Sequence, residues 1–315
     1  MDNKLMTRCA LFTSDESFEP WLREFNRQFP QLNVAHWQHI ENPEQVKYAM
    51  VWSPSKALFE RFPNLTTVFN LGAGVDAILS NPAVPSHIDI YRIEDGGMSA
   101  QMNQYFSYFL LHFFRDMDLY QQQQPLKQWK VQPFRPASSF RVGILGMGQL
   151  GAKLASHLQS YGFDVAGWSR SKKQLPGVTS YAGANELEPF LSRTDALCCL
   201  LPLTPDTLGI LNRKNMGQLP KGAVVLNAGR GEHLVADDLL ALLDENHLRG
   251  AVLDVFKPEP LPADHGLWLH PKVMMTPHSS AQSEHVPCVE RIGNTLQAIE
   301  NNQAPSGLVD RSRGY

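Results

Sequence analysis

No long apolar run and no block of like charge occurs anywhere in the 315 residues. The densest apolar stretch, YFSYFLLHFF at 105–114, is about half the length a membrane span needs. The opening residues, MDNKLMTRCALFTSDESF, lack the apolar core of a secretory signal, so a cytoplasmic protein is expected, without membrane partners. A net charge of −3, spread thinly, argues against nucleic acid or an anionic membrane surface as the main partner. Cysteine is scarce. Cys9, Cys198, Cys199 and Cys288 show no metal-ligand spacing, so no metal is expected. Cys198 and Cys199 sit in an apolar run and read as buried free thiols of a reducing compartment. There is no internal repeat, and no low-complexity segment beyond four glutamines at 121–124.

What is present is the composition of a soluble globular protein, 43% hydrophobic and 19% charged, in a chain long enough for two domains. Short β-rich runs alternate with helical patterns, which predicts an α/β fold with parallel sheets. The first series of strands is RCALFT (8–13), LNVAHW (32–37), YAMVW (48–52), TTVFN (66–70) and IDIYR (88–92), with a helical pattern at 19–29. A long helix is predicted over 99–120. It is apolar nearly all round between Tyr105 and Phe114, so it is either buried within one domain or packed on a second subunit. Residues 125–139, rich in Pro, Gln and Ser, read as a connection. A second series follows: FRVGILG (140–146), DVAGWS (164–169), ALCCLL (196–201), AVVLN (223–227), GAVLD (250–254) and VMMT (273–276).

At the head of the second series, VGILGMGQLG places Gly146, Gly148 and Gly151 at G-x-G-x-x-G spacing between a strand and a helix with Leu150, Leu154, Leu158 and Tyr161 on one face. Gly146 suits a tight turn, Gly148 lets a pyrophosphate approach the backbone, and Gly151 allows close helix–strand packing. With Met147, Gln149 and Leu150, these residues form a predicted dinucleotide-binding loop at a helix N-terminus. About twenty residues on, such a fold usually carries an acid that grips the ribose 2′-hydroxyl. None is there. Ser169, Arg170, Ser171 and Lys172, followed by Lys173, stand instead. A carboxylate would repel a 2′-phosphate, whereas hydroxyls and a guanidinium fork would bind one, so the expected cofactor is NADP or NADPH.

Three further segments follow strands of the second series, where this fold places its ligand crevice. LNAGRGEHL holds Arg230 beside Asn227 and Ala228, LDVFKPEPLP holds Glu259, and MMTPHSSAQ holds His278. An arginine can bind a carboxylate and polarise the adjacent carbonyl. A histidine can deliver a proton to that carbonyl oxygen as hydride arrives, and a glutamate can support the imidazolium.

Together with LGAGVD (71–76), these segments resemble the D-2-hydroxyacid dehydrogenase family over nearly the whole chain. Within the family the likeness is strongest to the glyoxylate/hydroxypyruvate reductases, through VW before SP at 51–54, WSR at 168–170 and the terminal VDRSRGY. The resemblance implies two Rossmann-like domains, a doubly wound parallel-sheet cofactor domain at 99–281 inserted in a flavodoxin-like substrate domain at 1–98 and 282–315. It implies Arg230 as substrate binder, His278 as proton donor and Glu259 as its partner. It also sets Asp254 near the nicotinamide, and Leu201, Pro202 and Thr204 on the adenosine side. Small residues at 72–74 leave backbone amides open to a carboxylate, so Ala73, Gly74 and Val75 are expected to bind substrate. Trp52 is expected to wall a pocket for two- or three-carbon acids. The implied activity is NADPH-dependent reduction of small 2-oxoacids, glyoxylate to glycolate and hydroxypyruvate to D-glycerate, by a homodimer. Two other readings stay open on the residues: a dehydrogenase of a bulkier D-2-hydroxyacid, and a dinucleotide-sensing binding protein with little turnover.

Overall fold

The computed structural model describes residues 8–14 and 18–315, which divide into two compact units. The first comprises the described residues up to Met98 together with Gln282–Tyr315, the second Ser99–Ala281.

The first unit is a five-stranded parallel sheet of β1 (Arg8–Thr13), β2 (Val34–His36), β3 (Val46–Trp52), β4 (Thr67–Asn70) and β5 (Asp89–Arg92), in the order β2-β1-β3-β4-β5. That is the flavodoxin-like order. Its helices are α1 (Glu19–Gln28), α2 (Lys56–Arg61) and α3 (Asp76–Leu79). Sheet strands buried on both faces read as unbroken apolar runs, and β4 is buried at all four residues. Trp52 closes β3 and residues 72–75 follow β4, so both lie at the carboxyl edge of this sheet.

The second unit holds α4 (Met98–Phe114), α5 (Met117–Gln123), β6 (Arg141–Leu145), α6 (Gln149–Gln159), β7 (Asp164–Ser169), β8 (Thr179–Ala182), α7 (Leu187–Ser192), β9 (Ala196–Cys199), α8 (Arg213–Met216), β10 (Ala223–Asn227), α9 (Ala236–Asp244), β11 (Leu248–Leu253) and β12 (Val273–Met275). All seven strands are parallel, ordered β12-β11-β10-β9-β6-β7-β8. Counted from β6, this is the doubly wound order 3-2-1-4-5-6 with a seventh strand added, and its switch point lies between β6 and β9. Register aligns the strand ends: Leu145 pairs with Trp168 and Cys199, Asn227 with Cys199 and Leu253, and Leu253 with Met275. Every loop leaving those ends therefore opens on one edge. Only β8 had no apolar signal, being a half-exposed edge strand, TSYA.

The helix expected over 99–120 is two helices. The chain breaks at Asp116, which takes φ +57. Asp116 and Asp118 both turn onto Arg249, with Oδ1 of Asp116 2.8 Å from its guanidinium and Asp118 gripping it from Nε and Nη2. Two carboxylates on one partly buried guanidinium outweigh the continuity of a helix whose only demand at this point is apolar cover. Phe106, Phe109, Leu110 and Phe113 of α4 are buried, each contributing about 1.5–3 kcal/mol. The opposite side is open within the unit, with Tyr108 66% exposed. Tyr161 lies past the end of α6 and is exposed.

The chain returns to the first unit with α10 (His285–Glu300), which packs on α1 and seats Gly293 against the ring of Phe29. The terminal DRSRGY completes the same unit. Arg311 donates to the carbonyls of Pro85 and Ile88 at 3.1 and 2.8 Å, Arg313 pairs with Asp310 at 2.8 Å, and Val309 bonds to Ile90 on the edge strand. No helix among the described residues is long and apolar enough to cross a membrane.

Candidate active site

The glycine loop follows β6 at the switch point. Gly146 holds φ +103, and a Cβ there would stand 2.6 Å from the carbonyl of Leu200, the residue after β9. A Cβ on Gly151 would lie 1.9 Å from the carbonyl of Gly146, so α6 crosses the loop at backbone contact. Gly148 is the N-cap of α6, offers no side-chain cap, and has nothing within 4 Å of where its Cβ would point. The first-turn amides of α6 and the open space over Gly148 therefore fit a pyrophosphate. Met147 points into the core against Gly167, so only its backbone faces that space, while Gln149 is exposed and Leu150 half-buried.

At the end of β7, Ser169 Oγ donates to the carbonyl of Ser171 at 2.8 Å, forming a tight polar turn. Arg170, Ser171 and Lys172 are exposed. Lys172 Nζ pairs with Glu186 Oε1 at 2.9 Å, so part of its charge is already answered. The lysine and the adjacent amide of Ala182 together hold the Glu186 carboxyl below its usual range.

The loops after β11 and β12 bring Glu259 and His278 together. His278 Nδ1 lies 2.8 Å from Glu259 Oε2, and Glu259 Oε1 accepts the amide of Phe256 at 2.9 Å, which orients the carboxylate. Both side chains are part-exposed. Asp254, fully buried, builds the turn that presents His278. Its carbonyl accepts the His278 amide at 2.8 Å, Oδ1 accepts Thr276 Oγ1 at 2.6 Å and the Ser279 amide at 2.8 Å, and Oδ2 accepts the Ser280 amide at 3.0 Å. The Thr276 hydroxyl gives its one proton to this carboxylate, so Tyr105 of α4 is the donor in the 2.8 Å bond between the two hydroxyls. Burial pushes the Tyr105 phenol well above its ordinary value, which keeps that proton in place.

The loop after β10 is braced from within. Asn227, buried at the strand end, accepts the Gly229 amide at 3.1 Å and donates to the carbonyl of Arg230 at 3.0 Å. Arg230 is half-buried and its Nη1 donates to the carbonyl of Gly229 at 2.8 Å; Ala228 is buried. In the loop after β9, Leu201 is buried, and Thr204 shares its hydroxyl with Thr207 at 3.2 Å. Thr207 in turn donates to the carbonyl of Pro202 at 2.7 Å.

The first unit places Trp52 directly over Gly72, where a Cβ would meet the indole at 2.4 Å, and 41% of the tryptophan stays exposed. Buried Asn70 donates from Nδ2 to the carbonyls of Gly72 at 3.0 Å and Gly74 at 2.8 Å, so these carbonyls turn inward across Ala73. Val75 has its side chain in the core and can offer only its backbone. Asn70, Tyr105, Thr276 and the Ser279–Ser280 amides support the site but carry no motif of their own. A polar residue closing an apolar strand, as in TVFN, is the one sequence signal by which Asn70 could have been found. Among the described residues no cluster of His, Cys, Asp or Glu could hold a metal ion.

An open parallel sheet with a glycine loop at its switch point, and a His–Glu pair on the same edge, defines a dinucleotide-dependent oxidoreductase of the doubly wound class. The D-isomer specific 2-hydroxyacid dehydrogenase NAD binding domain matches residues 107–280. A D-isomer specific 2-hydroxyacid dehydrogenase from Xanthobacter autotrophicus Py2, solved in complex with NADPH and MES, is 36% identical with a TM-score of 0.93, the match covering 98% of this chain and 100% of that one. The NADPH-dependent glyoxylate/hydroxypyruvate reductase of Sinorhizobium meliloti, solved with NADP and sulfate, is 34% identical with a TM-score of 0.89, covering 98% and 100%. A probable 2-hydroxyacid dehydrogenase of Rhizobium etli CFN 42, solved with NADP, HEPES and L(+)-tartaric acid, is 32% identical with a TM-score of 0.88, covering 98% and 99%. The chain belongs to the D-isomer specific 2-hydroxyacid dehydrogenase family.

Proposed function

We propose that the protein is an NADPH-dependent reductase of small 2-oxoacids, turning glyoxylate into glycolate and hydroxypyruvate into D-glycerate in the cytoplasm. The observation that carries the reading is the His278–Glu259 bond of 2.8 Å, on the sheet edge that also bears the glycine loop. Residues 146–151, with 201–204, Asn227, Ala228 and Asp254, would hold the cofactor, and Ser169, Arg170, Ser171 and Lys172 its 2′-phosphate. Bound NADPH supplies the hydride to C2 of the oxoacid. Arg230 pairs with the substrate carboxylate and polarises the neighbouring carbonyl. With Nδ1 engaged by Glu259, His278 keeps Nε2 to deliver a proton to the developing alkoxide, and the carboxylate stabilises the imidazolium before transfer. From the first unit, the backbone at Ala73, Gly74 and Val75 and the indole of Trp52 are the substrate-binding candidates.

The relatives solved with NADPH or NADP, one of them a glyoxylate/hydroxypyruvate reductase, support the cofactor and substrate class. A homodimer is part of the proposal. It is supported by the open side of α4 and by a connection in which Trp129 is wholly exposed and Phe134 92% exposed, apolar surface of the kind that marks an interface.

The test is oxidation of NADPH and NADH followed at 340 nm, with glyoxylate, hydroxypyruvate and a bulkier 2-oxoacid in parallel. Turnover of the two small acids with NADPH, and a large penalty for NADH, is expected. NADPH binding without turnover of any acid would replace the reductase by a cofactor-sensing protein. Faster turnover of the bulkier acid would move the substrate class.

A further inference from the structure

His233 lies in the short turn Gly231–His233 that follows Arg230, and its side chain is completely buried. Its Nδ1 stands 3.1 Å from the backbone nitrogen of Arg230, and its Nε2 stands 3.3 Å from the carbonyl oxygen of Pro202. A backbone amide can only donate and a carbonyl can only accept, so Nδ1 is bare and Nε2 carries the proton. The imidazole is neutral and has one tautomer. The thiol of Cys199, 3.7 Å from Nδ1, is consistent with this, since burial pushes it up to about 12 and leaves it a weak donor. The backbone is fitted around the ring: a Cβ on Gly229 would stand 2.9 Å from Nδ1 and 3.1 Å from the carbonyl of Leu201.

Burial obliges both nitrogens of a neutral imidazole to find partners, and the choice of partners is what gives this one a role. Here each one is bonded to the backbone of a different functional loop, the one after β10 and the one after β9. We infer that His233 is a positioning residue that sets the Arg230 loop for the 2-oxoacid through Nδ1 and, separately, the 201–204 loop for the cofactor through Nε2. The inference rests on the roles proposed above for those two loops.

The two bonds can be cut one at a time. In His233→Asn the amide oxygen takes the place of Nδ1 and accepts from Arg230, but nothing reaches Pro202. In His233→Gln the amide nitrogen takes the place of Nε2 and donates to Pro202, while the Arg230 amide loses its acceptor. His233→Phe fills the space and makes neither bond. The readouts are KM for glyoxylate and, without substrate, Kd for NADPH from its fluorescence. His233→Phe is expected to raise both by about tenfold, the size of a lost buried hydrogen bond. His233→Asn should restore KM to within about twofold and leave Kd weak, and His233→Gln should do the reverse. Wild-type constants in His233→Phe, or equal losses in the Asn and Gln variants, would overturn the inference. Should the Phe variant fail to fold, the Asn–Gln pair decides alone. A wild-type protein that binds NADPH yet reduces no 2-oxoacid would sink the proposed function instead, and the NADPH Kd would still test the Pro202 arm.

Discussion

Asp254 holds His278 from both sides: its carbonyl accepts the His278 amide at 2.8 Å, while its carboxylate accepts the amides of the next two residues. His278 stands at φ +51, a left-handed conformation that costs a residue of this kind about 1–3 kcal/mol. Hydrogen bonds to a buried carboxylate contribute about 1.5–3 kcal/mol each, enough to offset that strain. Replacement by asparagine sets an amide NH2 against a backbone N–H. Asp254→Asn should therefore lower stability by about 1–3 kcal/mol and, by loosening the turn, lower kcat as well. Thermal unfolding and initial rates check both, and an unchanged kcat at lowered stability would limit Asp254 to a structural part.

Loss of the proposed proton donor is separable from loss of the fold, because His278 and Glu259 are part-exposed. His278→Ala should cut kcat by about 10²–10⁴-fold with little change in NADPH Kd. Glu259→Gln keeps a hydrogen bond but removes the charge proposed to stabilise the imidazolium, so a smaller fall in kcat is expected. Equal damage to kcat and cofactor binding in His278→Ala would remove its proton-donor role.

Cofactor choice should turn on Arg170 more than Lys172, because a planar guanidinium can grip two phosphate oxygens at once where an ammonium acts as a point charge. Lys172 is exposed and paired with Glu186, a surface ion pair that contributes little. Arg170→Ala is expected to raise KM for NADPH by about tenfold or more, the scale of a lost charge-assisted bond, and to leave KM for NADH unchanged. Ser169→Asp should go further and favour NADH. An unchanged NADPH-to-NADH ratio in both variants would place the 2′-phosphate elsewhere.

Trp52 lies over Gly72 and is held there at van der Waals contact. Trp52→Ala should widen acceptance, with kcat/KM for a branched 2-oxoacid rising relative to glyoxylate. Competition between the two acids in one assay reads the ratio directly, and a constant ratio would make the indole a packing residue only.

The cysteines are expected to be inert in the folded protein. All four are buried, and burial is the first cause that pushes each thiol up, Cys199 and Cys288 to about 12. Only the thiolate reacts, and a raised value keeps the protonated form dominant until the pH approaches it. At pH 8 a disulfide reagent should therefore find no thiol in the native protein and four after denaturation. Rapid release from the native form would mean that one site opens.

The glycine loop was legible because a tight turn, a phosphate approach and a helix crossing each demand the absence of a side chain at one position. Arg230, Glu259 and His278 were legible as chemistry placed after strands. Their spacing along the chain, however, says nothing of distance. That Glu259 meets His278 while Asp254 turns its carboxylate onto the neighbouring loop depends on how β11 and β12 lie side by side. The break at Asp116 was hidden for the same reason, since Arg249 is 131 residues away from Asp118.

Local pattern determined what could be settled within a few residues: the alternating elements, the loop for a dinucleotide, and the missing acid after β7. The partners of His233, Asn70 and Thr276 were decided only by tertiary structure. A hydrogen bond requires two groups at about 3 Å in the right direction, and register and packing set that distance whatever the separation in sequence.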